Sequence, residues 1–145
     1  MQSLTKNIVI NAPLEKIWGL LADVNRTPEW VDGVQESERT GALCDGVGMR
    51  WRERCLFERQ NIDMEHEITE WQPRQKAVIR SVLPMNGSMT RSLQFAPTPN
   101  GIEVSIQVEW DLGIAGMLLG EKKIREMLEA SFEKTLEQWK VKTEL

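Results

Sequence analysis

The sequence predicts an α+β fold, one domain over residues 1–145 in which a curved antiparallel sheet wraps a long C-terminal helix. Three observations carry that prediction. Apolar residues alternate with period two from Val34 to Leu112, the period becomes helical beyond Gly113, and a short helical stretch separates a first strand from the rest.

Ser3 to Ile10 alternates as a strand does, and Asn11-Ala12-Pro13 stops it, with Pro13 expected at the first helical position. From Leu14 to Val24 the residues Ile17, Trp18, Leu20, Leu21 and Val24 recur at helical spacing and make one apolar stripe for the core. After Asn25 the segment RTPEW allows only a brief second helix, because Pro28 restricts the residue before it and Gly33 ends the stretch. Breaks at Gly41 to Gly48, Phe57 to Gln60, Gln72 to Lys76, Pro84 to Gly87 and Pro97 to Gly101 then divide the chain into six strands joined by turns, an antiparallel meander. Beyond them Met117, Ile124, Met127, Leu128, Ser131, Phe132, Thr135, Leu136 and Trp139 fall on one helix face, with Glu121, Lys122, Arg125, Glu126, Glu129, Glu133 and Lys140 on the other. The sheet hides its apolar side only if this helix lies across it, which is the helix-grip arrangement.

A length of 145 residues suffices for one continuous core. The net charge of -4 gives no dominant basic field, so nucleic acid is not expected as a partner. The opening MQSLTKNIVINAP has neither signal-peptide character nor a run long enough to span a bilayer, so no membrane insertion and a cytoplasmic location are expected. Cys44 and Cys55 lack metal or redox spacing and only one histidine is present, so no metal and no cofactor is expected. Oligomeric state is not encoded in these features.

A hairpin centred on Phe57 to Gln60 sets Arg50, Arg52 and Arg54 opposite Glu67, Glu65 and Asp63, three opposite-charge pairs that mark a solvated face rather than an anion site. The other face carries Met49, Trp51, Glu53 and Cys55, with Ile62, Met64, His66 and Ile68 on the next strand. His66 thus lies beside Trp51 and diagonal to Glu53. Glu53 and His66 form either an acid/base couple or a mutually satisfied pair at the polar end of a pocket. A turn around Thr98 and Pro99 pairs Phe95 with Ile102, Leu93 with Val104 and Arg91 with Ile106, and Val108 and Trp110 continue inward. Arg91 is then an inward cation that needs a carboxylate, a carbonyl or an acidic ligand, Glu53 among the candidates. The turns on either side of Val78 to Leu83 give conflicting faces, which a bulge would reconcile; Arg80 and Ser81 both stay candidates for the inner side.

Six tryptophans, seven methionines and no tyrosine make an unusual apolar set. Trp18, Trp30, Trp51 and Trp110 offer broad rigid walls, and Met49, Met64, Met85, Met117 and Met127 adaptable ones; core filling is the competing reading for each. Trp71 and Trp139 look structural. The glycine-rich stretch Asp111 to Gly120 is either a flexible lid or a tight strand-to-helix corner.

The segment VNRTPEWVDGVQESERTG resembles a "P-x-W…G-V" motif, ITEWQPRQKAVIRS resembles an "I-x-x-W-x-P" turn, and PTPNGIEVSIQVEWDL matches the closing strands of the same group. The chain resembles the START/Bet v 1-like (SRPBCC) superfamily in its polyketide cyclase/dehydrase and lipid-transport branch. The resemblance implies a deep cavity between sheet and C-terminal helix that in relatives holds sterols, polyketides, quinones or other lipids. Binding or transport of a hydrophobic small molecule is the function it implies, since the sequence displays no nucleophile with its base, no metal cluster and no phosphate loop. Two alternatives stay open: an enzyme resembling polyketide cyclases or aromatases, with His66 and Glu53 guiding proton transfers and Arg91 holding an enolate, and a protein-binding module resembling the heat-shock ATPase activators, which would use the outer surface.

Overall fold

A computed structural model describes residues 2–57 and 59–145; Glu58, in the turn used above to set a register, lies outside the described residues. Strand β1 (Gln2–Ile10) leads into helix α1 (Leu14–Ala22) and a 3-10 turn (Val24–Glu29). Strands β2 (Val34–Arg39), β3 (Arg50–Phe57), β4 (Gln60–Gln72), β5 (Lys76–Val82), β6 (Ser88–Thr98) and β7 (Gly101–Asp111) follow, and the chain ends in helices α2 (Ile114–Leu119) and α3 (Glu121–Glu144). The sheet is seven-stranded and antiparallel in the order β1-β7-β6-β5-β4-β3-β2, so β1 continues the meander from its far end.

Local chemistry sets the entry. Pro13 is the residue before α1 rather than its first helical residue; its extended ψ of 139° turns the chain, and its carbonyl accepts from the Lys16 and Ile17 amides. The brief second helix is a 3-10 turn containing Pro28, held by the Thr27 hydroxyl donating to the Val24 carbonyl at 2.6 Å.

The β3–β4 register is the one read from the sequence, with Arg50 opposite Glu67, Trp51 opposite His66 and Arg54 opposite Asp63. Arg50–Glu67 and Arg54–Asp63 pair at 3.2 Å, but Arg52 turns away from Glu65 to Glu38 at 3.8 Å, because β2 brings that carboxylate directly beside it. The β6–β7 register is displaced by two residues from the expected one: Arg91 lies opposite Val108, Leu93 opposite Ile106 and Phe95 opposite Val104. The connection turns at Pro99-Asn100, one residue later than expected, and closes with Gly101 at φ 138°, where any Cβ would collide with the Ile10 carbonyl. A two-residue displacement leaves every side chain on its expected side. The conflict over β5 is resolved by a register shift between Ile68 and Glu70, which leaves Thr69 as the extra residue. Beyond it Ser81 faces inward and Arg80 outward.

Helix α3 buries Ile124, Leu128, Phe132, Leu136 and Trp139 against the sheet. Trp139 anchors it: the ring packs on Trp30 at 4.4 Å and edge-on to Phe95 at 5.7 Å, and its Nε1 donates to the Ile17 carbonyl at 3.2 Å. Lys6 on β1 reaches Glu129 and Glu133 of α3, and Lys140 donates back to the Val9 carbonyl. Gly120 at φ 87° breaks the helical run predicted from Met117 onward, so α2 and α3 are separate helices.

Candidate functional site

Four consecutive strands each contribute one polar side chain to an inner face that is otherwise apolar. Glu53 on β3, His66 on β4, Ser81 on β5 and Arg91 on β6 are 2%, 3%, 1% and 8% exposed. The pairing makes this geometry: Trp51, His66, Ser81, Met89 and Trp110 are directly opposite one another in a row across five strands, with Glu53 and Arg91 one inward position away.

His66 is the centre. Its Nδ1 lies 2.5 Å from the Ser81 hydroxyl and 3.4 Å from Nη2 of Arg91, and its Nε2 lies 2.9 Å from Glu53 Oε1. An arginine only donates, so its contact with Nδ1 selects the neutral imidazole with its proton on Nε2, facing Glu53, and Ser81 donates to Nδ1. Although Nε2 and the carboxylate are within ion-pair distance, Nε2 makes no aligned hydrogen bond, so this contact is electrostatic. The carboxylate's aligned bond comes from Trp51, whose Nε1 donates to Oε2 at 2.7 Å. The Trp51 indole also covers the imidazole, with ring centres 5.2 Å apart and planes 30° from parallel.

Burial holds the His66 pKa below its ordinary value against the opposing pull of Glu53. For Glu53, burial pushes upward, but His66, Arg91 and the Trp51 indole together outweigh it and hold the carboxyl below its usual range. Burial, followed by the Glu53 charge, pushes the neighbouring Cys55 thiol up to about 12, so it is neutral. Burial lowers the Arg91 pKa and Glu53 opposes that.

Among the described residues Arg91 does not reach Glu53 within ion-pair distance; it meets the imidazole instead, so Glu53, one of the partners considered for it, is not its direct one. Among the described residues, Arg91 Nε, Trp110 Nε1, Trp30 Nε1 and, in this tautomer, His66 Nε2 are buried donors with no aligned acceptor.

Trp18, Trp30, Met49, Trp51 and Trp110 are all buried in the one core cluster, and Met64 and Met127 are half-buried. Met117, expected on the cavity wall, is 84% exposed: the break at Gly120 places it on α2, out of phase with the α3 face. Met85 is exposed too, in the β5–β6 connection, where its backbone is left-handed at φ 62°. Trp71 packs on Trp18, with ring centres 4.7 Å apart. Ser81 is the site residue that sequence reasoning left undecided, and the bulge at Thr69 is the signal that fixes it.

The side chains between sheet and α3 around this cluster are almost fully buried, with Met49, Trp51 and Trp110 at 1%, 4% and 2% exposure. A hollow of about 370 Å³ opens instead beside the end of α1, lined by residues including Asp23, Asn25, Arg39 and Cys44, and another of about 240 Å³ lies against the outer side of α3 at Glu137 and Val141. Neither touches His66.

The pattern of the family described as polyketide cyclase / dehydrase and lipid transport matches residues 1–144. No curated protein matches the chain in sequence. Among solved structures it is similar to TTHA0849 from Thermus thermophilus, at 19% identity and a TM-score of 0.81, over 98% of this chain and 97% of that one. It is similar to the Zhui aromatase/cyclase from a Streptomyces species at 18% identity and a TM-score of 0.77, over 99% of this chain and 93% of that one. The di-domain aromatase/cyclase StfQ of the steffimycin biosynthetic pathway matches at 15% identity and a TM-score of 0.82, over 98% of this chain and 50% of the larger protein. At these identities the structural matches speak for the fold alone.

Proposed function

The chain belongs to the polyketide cyclase/dehydrase and lipid transport family, and from that premise we propose that it binds a small hydrophobic molecule between the sheet and α3, with the polar end of the guest at Glu53, His66, Ser81 and Arg91. The observation that carries this reading is the buried polar cluster itself. A set of charged and polar side chains inside a core gives less stability than well-packed apolar residues of the same volume, and among the described residues Arg91 Nε within the cluster and Trp110 Nε1 beside it have no acceptor. A core built for packing alone gains nothing from such an arrangement; a binding site gains a point of orientation. Trp51, Trp110 and Met49 supply the apolar wall around it, and the polar group of the guest completes the hydrogen bonding that the closed protein leaves open.

The side chains of the cluster are buried, so binding requires an opening. The α2 segment is the part suited to move: Ile114, Met117 and Leu118 are exposed, and glycines at φ 57° and 87° bound the helix. Recovery of the protein from cells followed by native mass spectrometry tests the proposal. A bound lipid or aromatic, released on denaturation, is the expected result. A bare polypeptide mass, joined to tryptophan fluorescence that does not respond to any hydrophobic probe, overturns it.

One observation favours a second reading, an aromatase/cyclase-type enzyme. The chain of contacts from Ser81 through His66 to Glu53 gives a path along which a proton can pass. In this reading the imidazole and carboxylate guide proton transfers in a bound carbonyl compound, and Arg91 steadies the enolate that forms. A His66→Gln variant with undiminished cyclisation activity removes it.

A further inference from the structure

Ser81 is among the most deeply buried residues of the chain, at 1% exposure, and its hydroxyl lies 2.5 Å from Nδ1 of His66. On the far side of the same ring, Nε2 faces Glu53 Oε1 at 2.9 Å. A hydroxyl, an imidazole and a carboxylate in that order are the nucleophile, the base and the orienting group of acyl transfer, a constellation recognised by geometry and roles rather than by position in the chain. The three residues come from the successive strands β5, β4 and β3. The extra residue at Thr69 turns the hydroxyl to the imidazole, which is why the sequence alone pairs no nucleophile with a base.

Each group is in the protonation state that this chemistry needs. The Arg91 guanidinium beside Nδ1 can only donate, so Nδ1 is the unprotonated nitrogen and the hydroxyl points its hydrogen at it. Burial keeps the imidazole neutral near pH 7, and Glu53, held below its usual range, is ionised. Among the described residues no group donates to the Ser81 oxygen, so its lone pairs are free to attack. Cys55 is no competitor: its thiol, raised to about 12, stays protonated and lies 3.9 Å from Glu53 rather than against the base. Arg91 is diagonal to Ser81 across β5 and β6, and its buried, unpartnered Nε is a donor for an oxygen that gains negative charge beside the hydroxyl.

We propose that Ser81 is a nucleophile with His66 as its base and Glu53 as the positioning residue of that base, and that the chain hydrolyses carboxylic esters of apolar acids. This rests on the ligand-binding reading and adds a covalent step that neither that reading nor the proton-transfer reading contains. Ser81 Oγ bonds to the acyl carbon while its proton passes to Nδ1 of His66 and the π pair of the ester moves onto oxygen. As that pair returns, the bond to the alcohol breaks, the departing alcohol takes the proton from Nδ1, and the acyl group stays on Oγ. Water then bonds to the acyl carbon and gives its proton to Nδ1. The bond to Oγ breaks, Oγ recovers the proton and the carboxylic acid leaves, so ester and water become acid and alcohol with no further reactant. Glu53 keeps its charge throughout and stabilises each imidazolium against the Arg91 charge.

The full chain at neutral pH is treated with a long-chain alkyl fluorophosphonate, which phosphonylates an activated serine with loss of fluoride, and separately with p-nitrophenyl octanoate. One phosphonyl adduct, mapped to Ser81 by peptide mass spectrometry, and release of p-nitrophenolate above the buffer rate are the expected results. Ser81→Ala should lose both, and His66→Gln should slow both by about a hundredfold, the share of a positioned base. Ser81→Cys keeps a nucleophile in place and should carry an octanoyl thioester at that position, a result that a serine present only to satisfy the histidine does not give. A parent chain without the adduct, or adduct and hydrolysis that persist in Ser81→Ala, overturns the inference. If the tryptophan fluorescence of that parent still responds to 1-octanol, the ligand-binding reading stands; no response, together with a bare mass on recovery from cells, overturns both.

Discussion

The centre of the sheet and the β7–α3 corner are built on opposite principles. At the centre, Glu53, His66 and Ser81 are among the least exposed residues of the chain, each held by a neighbouring strand. At the corner, Met85, Ile114, Met117 and Leu118 are apolar yet exposed, on a six-residue helix bounded by glycines and a connection with left-handed Met85 and Asn86. The centre accepts a polar burden and fixes it by cross-strand contacts; the corner leaves apolar surface in water and is fixed by little. Orientation of a guest belongs to the first region and admission to the second.

The largest effect that tests this contrast comes from the charge balance at the centre. Glu53→Leu leaves Arg91 buried without a counter-charge, and removal of one member of a buried ionic group costs about 3–5 kcal/mol. Chemical denaturation should record a loss of that size, and Glu53→Leu combined with Arg91→Leu should recover most of it. A single variant as stable as the parent would mean that the cluster is not electrostatically coupled.

Acid should attack the same region. His66 has a folded pKa below its ordinary value of 6.5, so the unfolded chain takes up a proton that the folded one refuses. Its contribution is at full strength above about pH 6.5 and is lost as pH falls from there through the folded pKa, with a slope approaching about 1.4 kcal/mol per pH unit between the two. Glu53, also lowered, adds its loss only below about pH 4.5, in the same direction. Denaturation midpoints between pH 7 and 5 should therefore fall in the parent and stay flat in His66→Gln. An equal slope in both would place the titrating group elsewhere.

How much of this was legible in the sequence follows from the same contrast. The β3–β4 register could be read because one face repeats Arg50, Arg52, Arg54 against Glu67, Glu65, Asp63, and a slip by one residue would bury those charges. The inward side of Arg91 was legible even though its cross-strand partner is Val108 rather than the expected Ile106, because the error was an even number of residues. Ser81 was not, since a single extra residue at Thr69 reverses every face beyond it and nothing in the composition of β4 announces a bulge. Nor was the orientation of Arg91 toward the imidazole, which depends on rotamers rather than on pairing. At the corner, helical periodicity carried Met117 into the phase of α3, and only the backbone at Gly120 shows where that phase is broken.

The smallest effect on stability is also the one that separates the two regions most sharply. Met117→Ser on α2 replaces an 84% exposed apolar side chain by a small polar one. Because that side chain packs on almost nothing, stability should change by less than about 0.5 kcal/mol. If the corner governs admission, the apolar surface of α2 is what a guest meets first, and the exchange should slow association of an apolar probe such as 1-octanol in stopped-flow tryptophan fluorescence while leaving its dissociation rate nearly unchanged. Equilibrium affinity then weakens only through the on-rate. A Met117→Ser protein with the parent's association rate would assign entry to some other edge of the sheet and leave α2 as a structural corner.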